Sequence, residues 1–364
     1  MSRRYEARRE RAVGAVEAAG LDGLLVTPGP DLRYLTGYDA LPLERLTLLR
    51  LTPRTGPVML VPRLERPAAA AADGIDGVAL RDWLDGEDPY EAAAGLVGTG
   101  RFAVTDGTWA THVLSLQAAV AGIELVAAGR ALAPLRAVKD GDEVSALARA
   151  AEAADVAFRD VAEMPFAGAS ERDVAANLED ALRRHGHERV DFTIVGSGPN
   201  GASPHHGASE RRIAEGDAVV MDFGGFVGGY GSDITRTVVV KRPPDGFEEV
   251  YGAVHAAQQA AFEAVAPGVP CEEVDRAARD VIERAGFGDR FIHRTGHGIG
   301  LETHEEPYLV AGNRTPLEAG MTFSIEPGIY LEGRFGVRIE DIVAVTADGA
   351  RRLNLATRDL VTVR

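Results

Sequence analysis

The chain has 364 residues, beyond the ~100 to 200 of a typical domain, so two domains are the starting expectation, with one large α/β domain allowed. Hydrophobic residues make up 45% and charged residues 26%, ordinary globular usage that excludes a disordered, collagen-like or disulfide-stapled chain. Lys plus Arg is 39 against 55 Asp plus Glu, a formal net charge of −16 that works against nucleic acid or an anionic membrane as partner.

From Arg3 to Ala19 the spacing of Val13, Val16 and Ala19 predicts an amphipathic helix closed by Gly20, followed by a short buried strand at Leu24–Val26. The segment mixes Arg with Glu6 and Glu10 and leads into no apolar run of signal or membrane-spanning length, so a soluble cytoplasmic protein is expected. Leu46–Leu51 and Pro57–Val61 flank the turn-rich Thr52-Pro53-Arg54-Thr55-Gly56 and predict a hairpin. Val78–Leu80, Phe102–Val104 and Ile123–Val126 read as further strands, with helices near Pro89–Leu96 and Thr108–Val120. The first third is therefore a small α/β domain, taken as residues 1–130.

The pattern breaks around Gly129–Asp142, and a long Ala-rich helix, Glu143–Val161, opens the second domain, residues 131–364. Ser170-Glu-Arg-Asp173 has the spacing of a capping box starting another helix; Phe247–Ala266 and Glu272–Ala285 give two more, stopped by Pro267-Gly268 and Gly286. Cys271 is alone, so an intrachain disulfide or thiolate zinc cluster is excluded and a reducing compartment fits.

Two stretches echo each other. Ala218–Asp222 leads through a Gly-rich turn to Ser232-Asp233-Ile-Thr-Arg-Thr, and Met321–Glu326 leads through Pro327-Gly328 to Val337-Arg338-Ile-Glu340-Asp341. Each reads as strand, turn, strand. Alternation of faces puts Arg338 with Glu340, Glu326 with Ser324 and Thr322, and Asp233 with Thr235. Asp222, Asp233, Glu326 and Glu340 thus interrupt apolar strands, and buried acids need cations. Arg236 and Arg338 offer a salt-bridge network, but two arginines leave four acids under-neutralised. His293-Arg-Thr-Gly-His297-Gly-Ile-Gly-Leu-Glu-Thr-His304 then supplies three histidines in twelve residues. Oxygen ligands with one imidazole suit manganese, iron(II), cobalt or zinc, and carboxylates able to bridge favour two ions, a hydrolase arrangement. HExxH, GxSxG and a P-loop GK[ST] are absent from the sequence.

With these residues in view, the chain resembles the metal-dependent proline peptidases of pita-bread fold, aminopeptidase P and prolidase. Asp222, Asp233, His297, Glu326 and Glu340, within MDFGG, SDITRT, GHGIG, EPGIY and RIED, match the family's five metal ligands in order. The resemblance implies that Asp233 and Glu340 bridge two divalent ions, manganese first and cobalt or zinc as alternatives. It also implies site roles for His205, His293, His304 and Arg338, whereas His206 is set aside as pointing away. Thr303 stands where Ile or Val is usual. Asp31-Leu-Arg-Tyr-Leu-Thr-Gly37 looks like part of the family's N-terminal domain, which carries an expectation of a homodimer. The implied substrate is a peptide with proline at its second position. Tyr308 occupies a place where some prolidases carry Arg, which favours the aminopeptidase P type over the alternative, an Xaa-Pro dipeptidase. A pita-bread binding protein without catalysis is the remote alternative; such chains lose ligands, and this one keeps five.

Overall fold

The computed structural model describes residues 2–364, which gather into two compact units, the first ending at Arg136 and the second running from Ala137 to Arg364. In the first, strands β1 (Gly23–Val26), β2 (Leu48–Leu51), β3 (Val58–Pro62), β4 (Ala79–Trp83), β5 (Gly100–Val104) and β6 (Ile123–Ala127) form one mixed sheet in the order β4-β3-β2-β1-β5-β6. The expected hairpin is present, with β2 antiparallel to β3 and Leu48 opposite Leu60. Helices α1 (Ser2–Ala18), α2 (Pro30–Thr36), α3 (Arg66–Ala70), α4 (Pro89–Val97), α5 (Ala110–Ala119) and α6 (Gly129–Ala137) complete it. Helix α2 escapes periodicity because it has only seven residues; Pro30 starts it and Gly37, at φ 71°, ends it in the left-handed region that glycine adopts without strain. Pro134 sits inside α6 where the sequence suggested a break, so the expected boundary at 130 falls within a helix.

The second unit opens with α7 (Gly141–Ala162), whose start is fixed by a capping box: Asp140 accepts from the Glu143 amide and Glu143 reaches back to the Asp140 amide. Helices α8 (Glu171–Arg184), α9 (Phe247–Ala264) and α10 (Cys271–Arg284) follow. One sheet contains β7 (Arg189–Ser197), β8 (Ala218–Val227) and β9 (Tyr230–Val240); the other contains β10 (Gly296–Gly298), β11 (Glu305–Leu309) and β12 (Thr322–Ile325). A separate hairpin is made by β13 (Gly328–Leu331) and β14 (Phe335–Arg338), and β15 (Asp341–Val345), β16 (Ala350–Arg352) and β17 (Val361–Val363) end the chain. The sheet orders are β17-β9-β8-β7 and β11-β10-β12-β15-β16. Helices α7 and α8 cover the first sheet through Phe158, Val174 and Leu178 against Met221 and Ile234; α9 and α10 cover the second through Val254 and Val274 against Phe323 and Val343. Burial of both faces explains why β8 reads as a nearly unbroken apolar run.

The first half of the echo is a true hairpin, β8 and β9. In the second half, β12 pairs with β15, and β13–β14 is a hairpin inserted between them, so Glu326 and Glu340 sit just outside regular strands. Gly196-Ser-Gly-Pro-Asn-Gly201 also has the GxGxxG spacing of a dinucleotide-binding turn. It leads from β7 through a short turn into an antiparallel partner, not into the helix of a βαβ unit, so it forms no such site.

Close approach limits the glycines around His297. A Cβ on Gly296 would lie 1.9 Å from the Ser324 carbonyl oxygen, a backbone atom that cannot rotate away. Gly296→Ala is expected to destabilise the protein by about 1–3 kcal/mol or more, read as a shifted denaturant midpoint. An unchanged midpoint would mean that β10 and β12 separate readily. Among the described residues, no helix is long and apolar enough to cross a membrane.

Candidate metal centre

Register brings the acids of the first sheet together. Asp222 lies opposite Thr235, and Gly224 opposite Asp233, so Asp222, Asp233 and Thr235 project from one face of the β8–β9 pair. From the second sheet, His297 and Glu326 approach: His297 Nε2 is 3.3 Å from Glu326 Oε1 and 3.6 Å from Asp233 Oδ2. The Thr235 hydroxyl donates to Glu340 Oε2 at 2.6 Å, and the Glu340 amide donates to the Thr235 carbonyl at 3.1 Å. Ligand atoms of Asp233, His297 and Glu340 all fall within 4.8 Å of one another, and all three residues are buried. Ser324 orients two members at once, accepting from the His297 amide at 3.1 Å and donating to Glu326 Oε1 at 3.0 Å.

The cation supply differs from the expected pair of arginines. Arg338 faces the acids: its Nη2 meets Asp222 Oδ2 at 2.6 Å, its Nε donates to the Thr235 hydroxyl and its Nη1 to the Tyr330 hydroxyl. Arg236 points to the opposite side, bonding Asp341 Oδ1 at 2.7 Å and the carbonyls of Thr235, Glu340, Ala356 and Thr357. Among the described residues, Arg338 is thus the guanidinium bonded to this group of four carboxylates, with Arg294 a lesser influence on Glu326.

The donor set fits divalent ions. Oδ1 of Asp222 and Oδ1 of Asp233 are buried without a hydrogen-bond partner. His297 Nδ1 lies 3.1 Å from the Gly298 carbonyl, an arrangement that assigns the proton to Nδ1 and turns the Nε2 lone pair toward the carboxylates. Lone pairs facing each other at these distances call for a metal cation or a shared proton between them. Burial, reinforced by Glu340, Asp222 and Glu326, pushes Asp233 well above the usual carboxylate range. Glu340 moves the same way through burial and the charges of Glu326 and Asp222. Glu326 rises to about 7, chiefly through burial, with Arg338 opposing.

The other expected site residues lie around this cluster. His304 stacks edge-on to His297, ring centroids 4.0 Å apart, and burial lowers its pKa. His293 Nε2 meets the Tyr330 hydroxyl at 2.8 Å, and burial, then Arg338, bring it down to about 4. A chain His293–Tyr330–Arg338–Asp222 results. Tyr330 was missed by sequence reasoning although EPGIY contains it; a tyrosine in an otherwise apolar strand was the available signal. His205 is exposed, one residue beyond Pro204, whose carbonyl lies 3.4 Å from both terminal Arg338 nitrogens. Glu305, beside His304, is held by Lys139 at 2.5 Å. Tyr308 pairs across the strands with His297, and the Arg294 guanidinium lies 4.4 Å over its ring, so a cation does stand at this corner.

Electrostatics of the metal-free protein give a pH prediction. Glu326 holds its proton more tightly folded than unfolded, so stability falls as pH rises from about 4.5 to about 7. Asp233 and Glu340 act in the same direction. Glu171 is opposite: burial alone would raise it, but hydrogen bonds led by Ser209 and Ser197 bring it down to about 2, so its contribution is lost as pH falls from about 4.5 to about 2. Thermal melts of chelator-treated protein are expected to peak near pH 4 to 5 and decline toward 7. Melting temperatures that rise from pH 5 to 7 would contradict the crowding of these acids.

Residues 145–347 match the model of metallopeptidase family M24, and residues 8–138 match that of the creatinase/prolidase N-terminal domain. The chain is 48% identical over 371 residues to the probable dipeptidase PepE of Mycobacterium tuberculosis, covering 100% of this chain and 99% of that protein. The structure resembles dipeptidase PepE from Mycobacterium ulcerans with a TM-score of 0.93, 48% identity and coverage of 100% and 98%. It resembles prolidase from Thermococcus sibiricus with a TM-score of 0.92, 40% identity and coverage of 99% of each chain.

Proposed function

The chain belongs to metallopeptidase family M24, and from that premise we propose that it is an Xaa-Pro dipeptidase holding two divalent ions on Asp222, Asp233, His297, Glu326 and Glu340. The observation that carries the dipeptidase reading is similarity along the whole length to proteins named dipeptidase and prolidase. It reverses the preference for aminopeptidase P drawn from Tyr308, and Arg294 above the Tyr308 ring removes the reason for that preference. Manganese is the metal first expected, with cobalt or zinc as alternatives, and a homodimer is the expected assembly.

When bound, two such ions lower the pKa of water and polarise a carbonyl. The protein's own groups do the rest. Asp233 and Glu340 would each serve both ions. His304, kept neutral by burial, can take up a proton, while His293, also kept neutral by burial, is held by the Tyr330 hydroxyl and the Arg294 carbonyl. The Xaa-Pro amide has no N–H, so the site need supply no acceptor there; the departing ring nitrogen takes up a proton that neutral His304, with His205 assisting, would first accept from the water that adds to the carbonyl and then pass on. Tyr330 and Arg338 fix His293 and Asp222 in relation to each other.

The test is hydrolysis, with manganese, of an Xaa-Pro dipeptide, the matching Xaa-Pro-Yaa tripeptide and Met-Ala-Ser. The dipeptide is expected to be preferred by at least about tenfold in kcat/KM. Preference for the tripeptide would restore the aminopeptidase reading, and cleavage of none by metal-loaded protein would favour a binding role.

A further inference from the structure

His206, set aside in the sequence, is built into the loop that carries His205. Its Nε2 donates to Glu171 Oε2 at 2.8 Å. Glu171 opens α8, and its side chain is fully buried, yet it faces donors alone: the Ser197 amide and hydroxyl, Asn200 Nδ2, the Ser209 amide and hydroxyl, and His206. These donors come from both ends of residues 197–209. An ionised carboxylate meeting that many donors forms strong, geometrically specific bonds. On the other flank, the Pro204 carbonyl lies against Arg338, which also holds Asp222. His205 thus sits between two anchored neighbours, Pro204 tied to the candidate metal centre and His206 tied to α8. Its own side chain is exposed and lies within electrostatic range of His293 and His304.

We propose that His206, through its hydrogen bond to Glu171, is a positioning residue that holds His205 at the peptidase site. The inference rests on the reading that His205 takes part in turnover. Without the His206 bond, no side-chain hydrogen bond among those of the described residues holds residues 205–208, and the exposed His205 can move away from the site. The Nε2 of a glutamine reaches a similar point in space and donates in the same way, so His206→Gln preserves the tie where His206→Ala removes it.

The experiment measures kcat and KM of the manganese-loaded full-length protein on an Xaa-Pro dipeptide, for His205→Ala, His206→Ala, His206→Gln and the double alanine variant, with manganese affinity alongside. His205→Ala is expected to lose about 100-fold in kcat. His206→Ala should lose about tenfold, mostly in kcat, with manganese affinity unchanged, and His206→Gln should lie within about threefold of wild type. In the His205→Ala background, His206→Ala should add less than about twofold, because the two residues act as one unit. Equal losses in both backgrounds, or no recovery in His206→Gln, would overturn the positioning role while leaving His205 in place. A fully active His205→Ala would instead overturn the role of His205, and the inference with it.

Discussion

Replacing Asp233 by Asn is expected to abolish peptidase activity and, in protein stripped of metal, to raise the melting temperature. The two effects have opposite signs because the same charge is read in two settings. Without metal, Asp233 is buried among Asp222, Glu326 and Glu340, with one oxygen lacking any hydrogen-bond partner and Arg338 as the cation on that face. An amide of the same shape carries no charge to repel its neighbours, so the metal-free fold gains. On the proposed ligand set, the variant would lack the anionic oxygen that stands beside Glu340 and His297. Its manganese affinity should fall by more than the ~10- to 100-fold typical of groups that merely support a ligand. Calorimetric titration and paired melts, with chelator and with manganese, read both signs. A metal-free variant that melts below wild type would contradict the charge crowding. Near wild-type turnover at matched metal content would contradict the assignment of Asp233 to two ions.

The second large effect is expected at Arg338, where Met preserves much of the volume and removes the charge. Arg338 donates to Asp222, Thr235 and Tyr330 at once and is buried, with side-chain exposure of 3%. Taking one partner from such a buried pair typically costs about 3–5 kcal/mol, since the remaining carboxylate keeps its desolvation cost without its counter-charge. For a unit of this size that corresponds to a fall in melting temperature of roughly 10 °C. Arg338→Lys should fall less in stability, because a point charge replaces the fork, yet still lose the Tyr330 and Thr235 bonds. Adding Asp222→Asn to Arg338→Met should recover part of the loss, a non-additive result expected of contacting charges. Stability of Arg338→Met within 1 kcal/mol of wild type would mean that water, rather than Arg338, solvates Asp222.

Much of the candidate site is legible because its members violate the local pattern. Asp222 and Asp233 stand in apolar strands, and strand alternation alone puts Asp233 and Thr235 on one face. The same alternation turns Arg236 to the other face, so counting it among the neutralising cations went against a rule already in use. Other features are not written locally. The pairing of β12 with β15 passes over a complete hairpin, and adjacency in sequence favoured the nearer partner. The His206 partner, Glu171, is 35 positions away on another element, and its six donors come from Ser197 at the end of β7 and from the irregular segment that follows it. Helix α2 is too short for a hydrophobic repeat to declare itself, and its capping residues were the available signal.

Arg236 gives the site a schedule during synthesis. It anchors the Glu340 carbonyl and, with β17 lying parallel to β9 at Val361 and Val238, ties the strand bearing Asp233 to residues 356–363. Those partners emerge more than a hundred residues after Asp233, which at ordinary translation speed is on the order of 10 s. Through that interval the nascent chain carries Asp222 and Asp233 on strands whose counter-charge and remaining ligands have not yet been made. A ribosome-bound chain halted before Arg338 would therefore present two unneutralised acids on an unfinished sheet.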